Sequence, residues 1–161
     1  MVPLSFGGHD FLASPSGALF WPAERALLSL AHVHGDGGEE LYLTFESAGP
    51  VEPWVERNVM PFMGHVPDGL KLPAMRREQG AQAIAMYLGP DGEPEIVADW
   101  PTDIELICGL LTFAPGRMVA VPELRFRLVQ IGTFSPAENS AVPHNALHDA
   151  RALRDHVLGL E

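Results

Sequence analysis

The segment around a glycine-rich turn most restricts the folds open to this chain. Residues 26–33 are mostly apolar, residues 34–38 read His-Gly-Asp-Gly-Gly, and residues 40–45 alternate between apolar and polar side chains. Two strand-like segments around such a turn predict an antiparallel hairpin. Residues 4–13 are also strand-like, and we expect them to extend the hairpin to a three-stranded meander.

Downstream of the meander, helical segments alternate with strand-like segments. A helix that crosses between two strands favours parallel pairing of those strands. We therefore predict an α/β fold in which helices flank a mixed sheet, made of a three-stranded antiparallel meander plus two parallel strands. The strand-like segments are 95–98 and 124–131, and the helical ones are 53–61, 73–88, 101–112 and a closing helix that begins at Pro143.

The length and composition fit one domain that spans residues 1–161. The chain is 47% hydrophobic, and its single cysteine, Cys108, lies in the apolar stretch 104–111, where it is expected to be a small buried hydrophobe. The N-terminus has no basic leader, and no apolar run reaches the roughly 18 residues of a membrane span. We therefore expect a cytoplasmic protein with no membrane partner.

The charge balance argues against extensive nucleic-acid binding. The formal net charge is -11, Lys71 is the only lysine, and the arginines are scattered, whereas phosphate binding normally draws on clustered cations. Bound divalent cations can reverse the local field at a site that holds only a strand end. The acidity therefore predicts weak, non-processive binding and a short substrate if nucleic acid is bound.

The closing helix carries the sharpest chemical signal. Its apolar positions recur at helical spacing, so one face is expected to be buried, and His144 stands at its start with Asp149 further along. Such a carboxylate can hold a metal ion while the histidine takes a proton from water. The same spacing also fits a solvated Asp149 that pairs with Arg151 or Arg154.

Several motifs resemble one enzyme family. Residues 144–153 read His-x-Ala-x-x-Asp-Ala-x-Ala-Leu, which closely resembles the last motif of the DEDDh-type 3'-5' exonucleases, a ribonuclease H-like group that includes ribonuclease T and proofreading exonucleases. Residues 10–14, Asp-Phe-Leu-Ala-Ser, are similar to the first motif, and residues 97–103, Val-Ala-Asp-Trp-Pro-Thr-Asp, to the mid-chain one. Residues 21–24 and 58–62 look like segments of a bacterial subgroup of small exonuclease-like proteins.

The resemblance implies a ribonuclease H-like fold with a two-metal centre. Asp10, Asp103 and Asp149 would bind Mg²⁺ or Mn²⁺, and His144 would deprotonate the attacking water. Phe11 and Trp100 lie beside this site and would contact a terminal base.

Some of these residues also have structural explanations. Asp99 or Asp103 could cap the helix that begins near Pro101, and Asp99 is the better placed of the two. Trp54 is expected to pack in the core or at its rim rather than to stack on a base.

The first motif departs from the family pattern at one position. Leu12 stands where family members carry a glutamate, so the catalytic cation loses a ligand. Glu24 could replace that ligand only if its loop folds over the site.

Three hypotheses therefore stay open. The first is a metal-dependent 3'-5' exonuclease that hydrolyses phosphodiester bonds at the 3' ends of short single-stranded RNA or DNA, with reduced activity. The second is a catalytically degenerate relative that binds nucleic acid or has a regulatory role. The third is a protein-interaction module. The resemblance also implies a homodimer, because this family often dimerises.

Overall fold

The structure, a computed structural model, describes residues 9–13, 27–47 and 49–160, and for residues 9–13 it describes only the backbone. The strands are β1 (His9–Ala13), β2 (Ser29–His34), β3 (Glu40–Thr44), β4 (Glu95–Ala98), β5 (Thr112–Ala114), β6 (Arg117–Met118) and β7 (Arg125–Leu128). The α-helices are α1 (Pro53–Asn58), α2 (Arg77–Leu88), α3 (Pro101–Leu111), α4 (Pro136–Asn139) and α5 (Ala146–Leu158). Short 3₁₀ turns lie at Met60–Phe62, Asp68–Leu70 and Gly89–Asp91.

Five strands form one mixed sheet in the order β3-β2-β1-β4-β7. β1 pairs antiparallel with β2, and β2 pairs antiparallel with β3. On its other side β1 pairs parallel with β4, and β4 pairs parallel with β7. The prediction of a mixed α/β fold is confirmed.

Helices cover both faces of the sheet, and successive residues of the strands point to opposite faces. On one face, Ile96 packs with Ile84 of α2 and Ile107 of α3. On the other face, the apolar side of α5 packs against β2, and Leu153 contacts Val97 of β4. The buried residues of the α5 contact with β2 and β3 are Ala31, Val33, Tyr42, Ala146, Leu147 and Ala150.

The start of α5 is set by Asn145 and not by Pro143 as predicted. The buried Asn145 side chain accepts hydrogen bonds from the backbone N–H groups of Leu147 and His148, which otherwise lack intrahelical partners. Its amide also donates to the carbonyl of Phe62 at 2.8 Å. This side chain therefore begins the helix and fastens it to the segment that follows α1.

α2 and β7 are shorter than predicted. α2 begins at Arg77 because Met75 instead pairs with the end of β3, where its N–H donates to the Thr44 carbonyl at 2.9 Å. β7 covers residues 125–128 of the predicted strand 124–131, lies at the sheet edge, and has four exposed residues. The short hairpin of β5 and β6 was not predicted.

Three further expectations concern Cys108, the segments before β2 and the possibility of a membrane-spanning helix. Cys108 is exposed on α3, so its prediction as a buried residue is wrong. Residues 4–8 of the predicted first strand, and Glu24, lie outside the described residues. Across the described residues, the helices are all too short or too polar to cross a bilayer.

Gly80 provides a test of how α2 packs on the sheet. A Cβ at Gly80 would lie 2.8 Å from Cζ of the buried Phe45 ring and closer still to its Cε1. Overpacking of a well-packed core typically costs about 1–3 kcal/mol. We expect Gly80→Ala to lower the free energy of unfolding by that amount, as measured by urea denaturation.

Gly109 of α3 is the matched control. Its Cβ would meet only Arg77 Nη2, at 3.9 Å, so Gly109→Ala should gain the usual helix-propensity benefit of about 0.5–1 kcal/mol. Equal effects of the two substitutions would contradict the close packing of Phe45 on α2.

His32 is a polar residue in the middle of the core. Its side chain is completely buried on β2, it contacts the Tyr87 ring at a centroid distance of 5.7 Å, and neither ring nitrogen has a hydrogen-bond partner among the described residues. Burial lowers the pKa of His32 from 6.5 to about 3. The imidazole is therefore neutral in the folded protein throughout the physiological range.

This burial predicts an acid-sensitive fold. Between pH 6.5 and 3 the unfolded chain binds a proton at His32 that the folded chain does not, so stability falls as the pH decreases. At pH 5 the loss from this group is about 2 kcal/mol. We expect His32→Leu to remove that part of the pH dependence, measured as the difference between urea-denaturation curves of the two proteins at pH 7 and pH 5. Parallel pH profiles would contradict the buried neutral imidazole.

Candidate functional site

The candidate site lies at the start of α5, beside the end of β4. His144 immediately precedes the N-cap residue Asn145, and its φ is +64°, a left-handed conformation that is uncommon for a residue with a side chain. The His144 backbone N–H lies close enough to the Asp149 carboxylate to lower its pKa. The turn at His144 therefore brings the main chain of this residue near the carboxylate of the same sequence motif.

Asp149 is a buried carboxyl group with incomplete hydrogen bonding. Only 8% of its surface is exposed. Its Oδ1 has no partner among the described residues. Burial is the main cause that raises the pKa of Asp149 to about 6, and the nearby Ser140 hydroxyl and His144 N–H lower it less than burial and the negative charge of Asp99 raise it.

The two arginines that could have paired with Asp149 have other partners. Arg151 binds Glu40 through Nε and Nη2, at 2.7 and 2.6 Å. Arg154 binds its neighbour Asp155 at 2.6 Å. The alternative of a solvated Asp149 held by surface arginines is therefore wrong, because the carboxylate is buried and the arginines point to other acids.

The His144 side chain contacts an aromatic ring from a distant segment. Its imidazole is half-buried and meets the Trp54 indole of α1 in an edge-on contact, with a centroid distance of 5.0 Å and an interplanar angle of 78°. Trp54 is 41% exposed. It therefore forms part of the wall of the site, a role that sequence reasoning missed because no local pattern links α1 to the loop before α5.

The mid-chain carboxylates lie at the junction of β4 and α3. Asp103 is in the first turn of α3 and is 4% exposed, whereas Asp99 follows β4 and is half-buried. The N-cap of α3 is Trp100, which makes no side-chain capping bond, so Asp99 is not the helix cap that its position predicted. Burial raises the pKa of Asp99.

Asp10 and Phe11 are placed only by the backbone of β1. Asp10 pairs with Ile96 of β4, and Phe11 pairs with Val97. β1 also lies under α5. Both residues are therefore on a strand adjacent to the junction that carries the mid-chain carboxylates, and their side chains lie outside the described residues. Trp100, the other predicted substrate contact, is 56% exposed beside Asp99.

No family model matches this chain, and no curated protein matches it either. The resemblance to the exonucleases therefore rests on the sequence motifs alone, at residues 10–14, 97–103 and 144–153.

The described side chains do not by themselves form a metal site. Among side chains 27–47 and 49–160, no three His, Cys, Asp or Glu groups are arranged to hold an ion; that set does not contain the Asp10 side chain. The buried, unpartnered Oδ1 of Asp149 is the kind of group that a cation would satisfy. Carboxylate oxygens are hard ligands that suit Mg²⁺ or Mn²⁺, so the donor chemistry fits the predicted ion.

The buried Asp149 carboxylate is expected to lower the free energy of unfolding when it is ionised. Its pKa of about 6 in the folded protein is above the ordinary value of 3.8, so the folded chain holds a proton between pH 3.8 and 6 that the unfolded chain has lost, and stability falls as pH rises through that range. Above pH 6 the cost is up to about 3 kcal/mol. In the presence of chelator at pH 8, we expect Asp149→Asn to unfold at a higher urea concentration than the natural protein.

Two controls accompany this experiment: the same comparison at low pH, and a second variant on the same helix. The advantage of Asp149→Asn should disappear below pH 4, where the natural carboxyl group is protonated in both states. Asp155→Asn, on the same helix but paired with Arg154 at the surface, should change stability by less than about 1 kcal/mol at both pH values. A destabilised Asp149→Asn variant at pH 8 would contradict the raised pKa.

Proposed function

We propose that this protein is a metal-dependent 3'-5' exonuclease that hydrolyses phosphodiester bonds at the 3' ends of short single-stranded RNA or DNA. One observation carries the proposal. The chain buries a carboxylate, Asp149, at the start of its last helix, leaves one of its oxygens unpartnered among the described residues, and places the His144 main chain close enough to lower its pKa. Burial of a charge without a partner is expensive, so such a group is a candidate functional site.

The sheet supports the same proposal. An antiparallel meander followed by two parallel strands, with the last helix packed across β1 and β2, agrees with a ribonuclease H-like arrangement. In that arrangement the first strand, the helix after β4 and the last helix meet at one place. Asp10, Asp103 and Asp149 belong to these three elements.

The roles of the residues follow from their chemistry. Asp149, Asp103 and Asp10 would hold Mg²⁺ or Mn²⁺, which when bound neutralises the charge that develops on the phosphate. His144 accepts a proton from the water whose oxygen bonds to phosphorus, and the bond from phosphorus to the preceding 3' oxygen breaks. The Trp54 edge contact and the backbone turn at His144 limit the directions that the imidazole can take.

Exposed aromatic rings near the site suit a strand end. Trp100 is 56% exposed next to Asp99, and Trp54 is 41% exposed against His144. Stacking on aromatic rings accepts any base and needs no cluster of cations. This mode of binding is compatible with a chain whose net charge is -11, and together with the Phe11 position it favours a short, single-stranded substrate.

One observation favours a second candidate function. Leu12 occupies the position of the family's glutamate, so the chain is a catalytically degenerate relative if the remaining carboxylates do not hold the catalytic cation. In that case it binds strand ends or a protein partner without cleavage.

A cleavage assay separates the two functions. Short RNA and DNA strands, labelled at either the 3' or the 5' end, are incubated with the protein in Mn²⁺, Mg²⁺ or chelator. We expect stepwise shortening from the 3' end that requires the metal and falls by about 10²–10⁴-fold in His144→Ala, the usual contribution of a general base. His156→Ala, at the far end of α5, is the matched control and should retain activity.

The remaining outcomes are equally specific. If the Leu12→Glu variant cleaves the strands and the natural protein does not, the chain is a degenerate exonuclease. If neither the natural protein nor this variant cleaves or binds oligonucleotides, the proposal is overturned in favour of a protein-interaction module. Full activity of His144→Ala would exclude His144 as the base.

A further inference from the structure

The segment that follows α1 is fastened beside the start of α5. Three backbone carbonyls of residues 62–65 accept hydrogen bonds from side chains of other elements. The donors are Nδ2 of Asn145, the Tyr42 hydroxyl and Nε2 of His148, at 2.8, 2.9 and 2.8 Å. Because a carbonyl oxygen only accepts, Nε2 of His148 carries its proton. Two of the donors belong to the cap and first turn of α5, so residues 62–65 are held next to the loop that carries His144.

The preceding helix, α1, is anchored to the core. Val55 and Val59 are buried and pack with Leu28, which directly precedes β2. The Asn58 side chain also donates a hydrogen bond to the Trp54 carbonyl at 2.7 Å. The backbone of Trp54 is therefore fixed relative to the sheet on one side of the helix, while residues 62–65 fix the following segment to α5.

The His144 imidazole has no comparable anchor. His144 lies outside α5, before its N-cap residue, and no hydrogen bond from the described part of the chain reaches its ring nitrogens. A catalytic histidine is commonly oriented by a hydrogen bond from one ring nitrogen to a carboxylate or a backbone carbonyl. The described contact of this imidazole is instead the edge-on one with the Trp54 indole, at 5.0 Å between the ring centroids.

We propose that Trp54 is a positioning residue that holds the His144 imidazole in the orientation in which it accepts a proton from water. The inference rests on the proposed function and deepens it, because it assigns the group that orients the base. Edge-on packing of aromatic rings is a favourable geometry, and a contact of this kind favours one orientation by about 2- to 12-fold. The anchored backbone of α1 makes the indole a fixed wall for the imidazole, and the contact occupies neither ring nitrogen with a hydrogen bond.

Nuclear magnetic resonance of the imidazole tests this role without nucleic acid or metal. The ring signals of His144 are assigned from their absence in His144→Ala, and ¹³C relaxation measures how far the ring is immobilised. We expect Trp54→Leu, which keeps an apolar side chain but removes the ring, to increase the motion of the imidazole. Trp54→Phe, which keeps an aromatic ring, should restore most of the order.

Phe134→Ala is the matched control. The Phe134 ring stacks on His156 near the other end of α5, with a centroid distance of 3.9 Å and an interplanar angle of 7°. Its removal should change the ring signals of His156 and leave those of His144 as they are in the natural protein. Urea-denaturation curves verify that each variant is folded.

The kinetics of cleavage separate positioning from substrate binding. With the labelled strands, we expect Trp54→Leu to lower kcat by about 2- to 12-fold, the population of the favoured orientation that the contact supplies. KM should change little, and Trp54→Phe should recover most of kcat. Phe134→Ala should cleave as the natural protein does.

The outcomes distinguish this inference from the proposed function. Unchanged imidazole motion in Trp54→Leu would overturn the positioning role and leave the exonuclease proposal intact. A raised KM at unchanged kcat would also overturn it, because Trp54 would then act on the substrate and not on His144. Increased imidazole motion in Trp54→Leu, together with undetectable cleavage by the natural protein, would support the positioning of His144 and contradict the exonuclease activity.

Discussion

The burial of the Asp149 carboxylate is the constraint on which the site and the last helix both depend. The carboxylate lies in the first turn of α5, and the buried Asn145 cap fixes that turn to the rest of the fold. Because a buried charge is unfavourable, this arrangement persists only where packing elsewhere supports it. The close contact of Ala146, Leu147 and Ala150 with the sheet supplies that support.

The fold accommodates a second buried polar group far from this site. His32 lies in the core next to Tyr87 with no hydrogen-bond partner among the described residues, and it stays neutral. The two groups act in opposite directions, since protonation at His32 opposes folding whereas protonation of Asp149 relieves the cost of burying its charge. The stability of the protein near pH 5 therefore reflects a balance between the sheet core and the candidate site.

The sequence predicted the elements well where a local pattern determines them. The Glu95–Ala98 strand has its predicted bounds, and the hairpin of β2 and β3 lies around the predicted turn, because glycine-rich turns and apolar alternation are local signals. Contacts between distant segments could not be predicted from such local patterns. Met75 shortens α2 by pairing with β3, and Trp54 meets His144 although 90 residues separate them. The exposure of Cys108 is of the same kind, since it depends on which face of α3 is covered.

The net charge of the chain and the leucine at position 12 bear on the same step of the proposed function. A site built from Asp10, Asp103 and Asp149 on a chain of net charge -11 would repel phosphate unless cations were bound. Affinity for a strand end is then coupled to metal occupancy, because the cation that completes the carboxylates also reverses the local field. With Leu12 in the first motif, occupancy of the proposed site would depend on the remaining carboxylates, Asp10, Asp103 and Asp149. Substrate binding and metal binding in this protein are therefore expected to be one linked equilibrium rather than two independent steps.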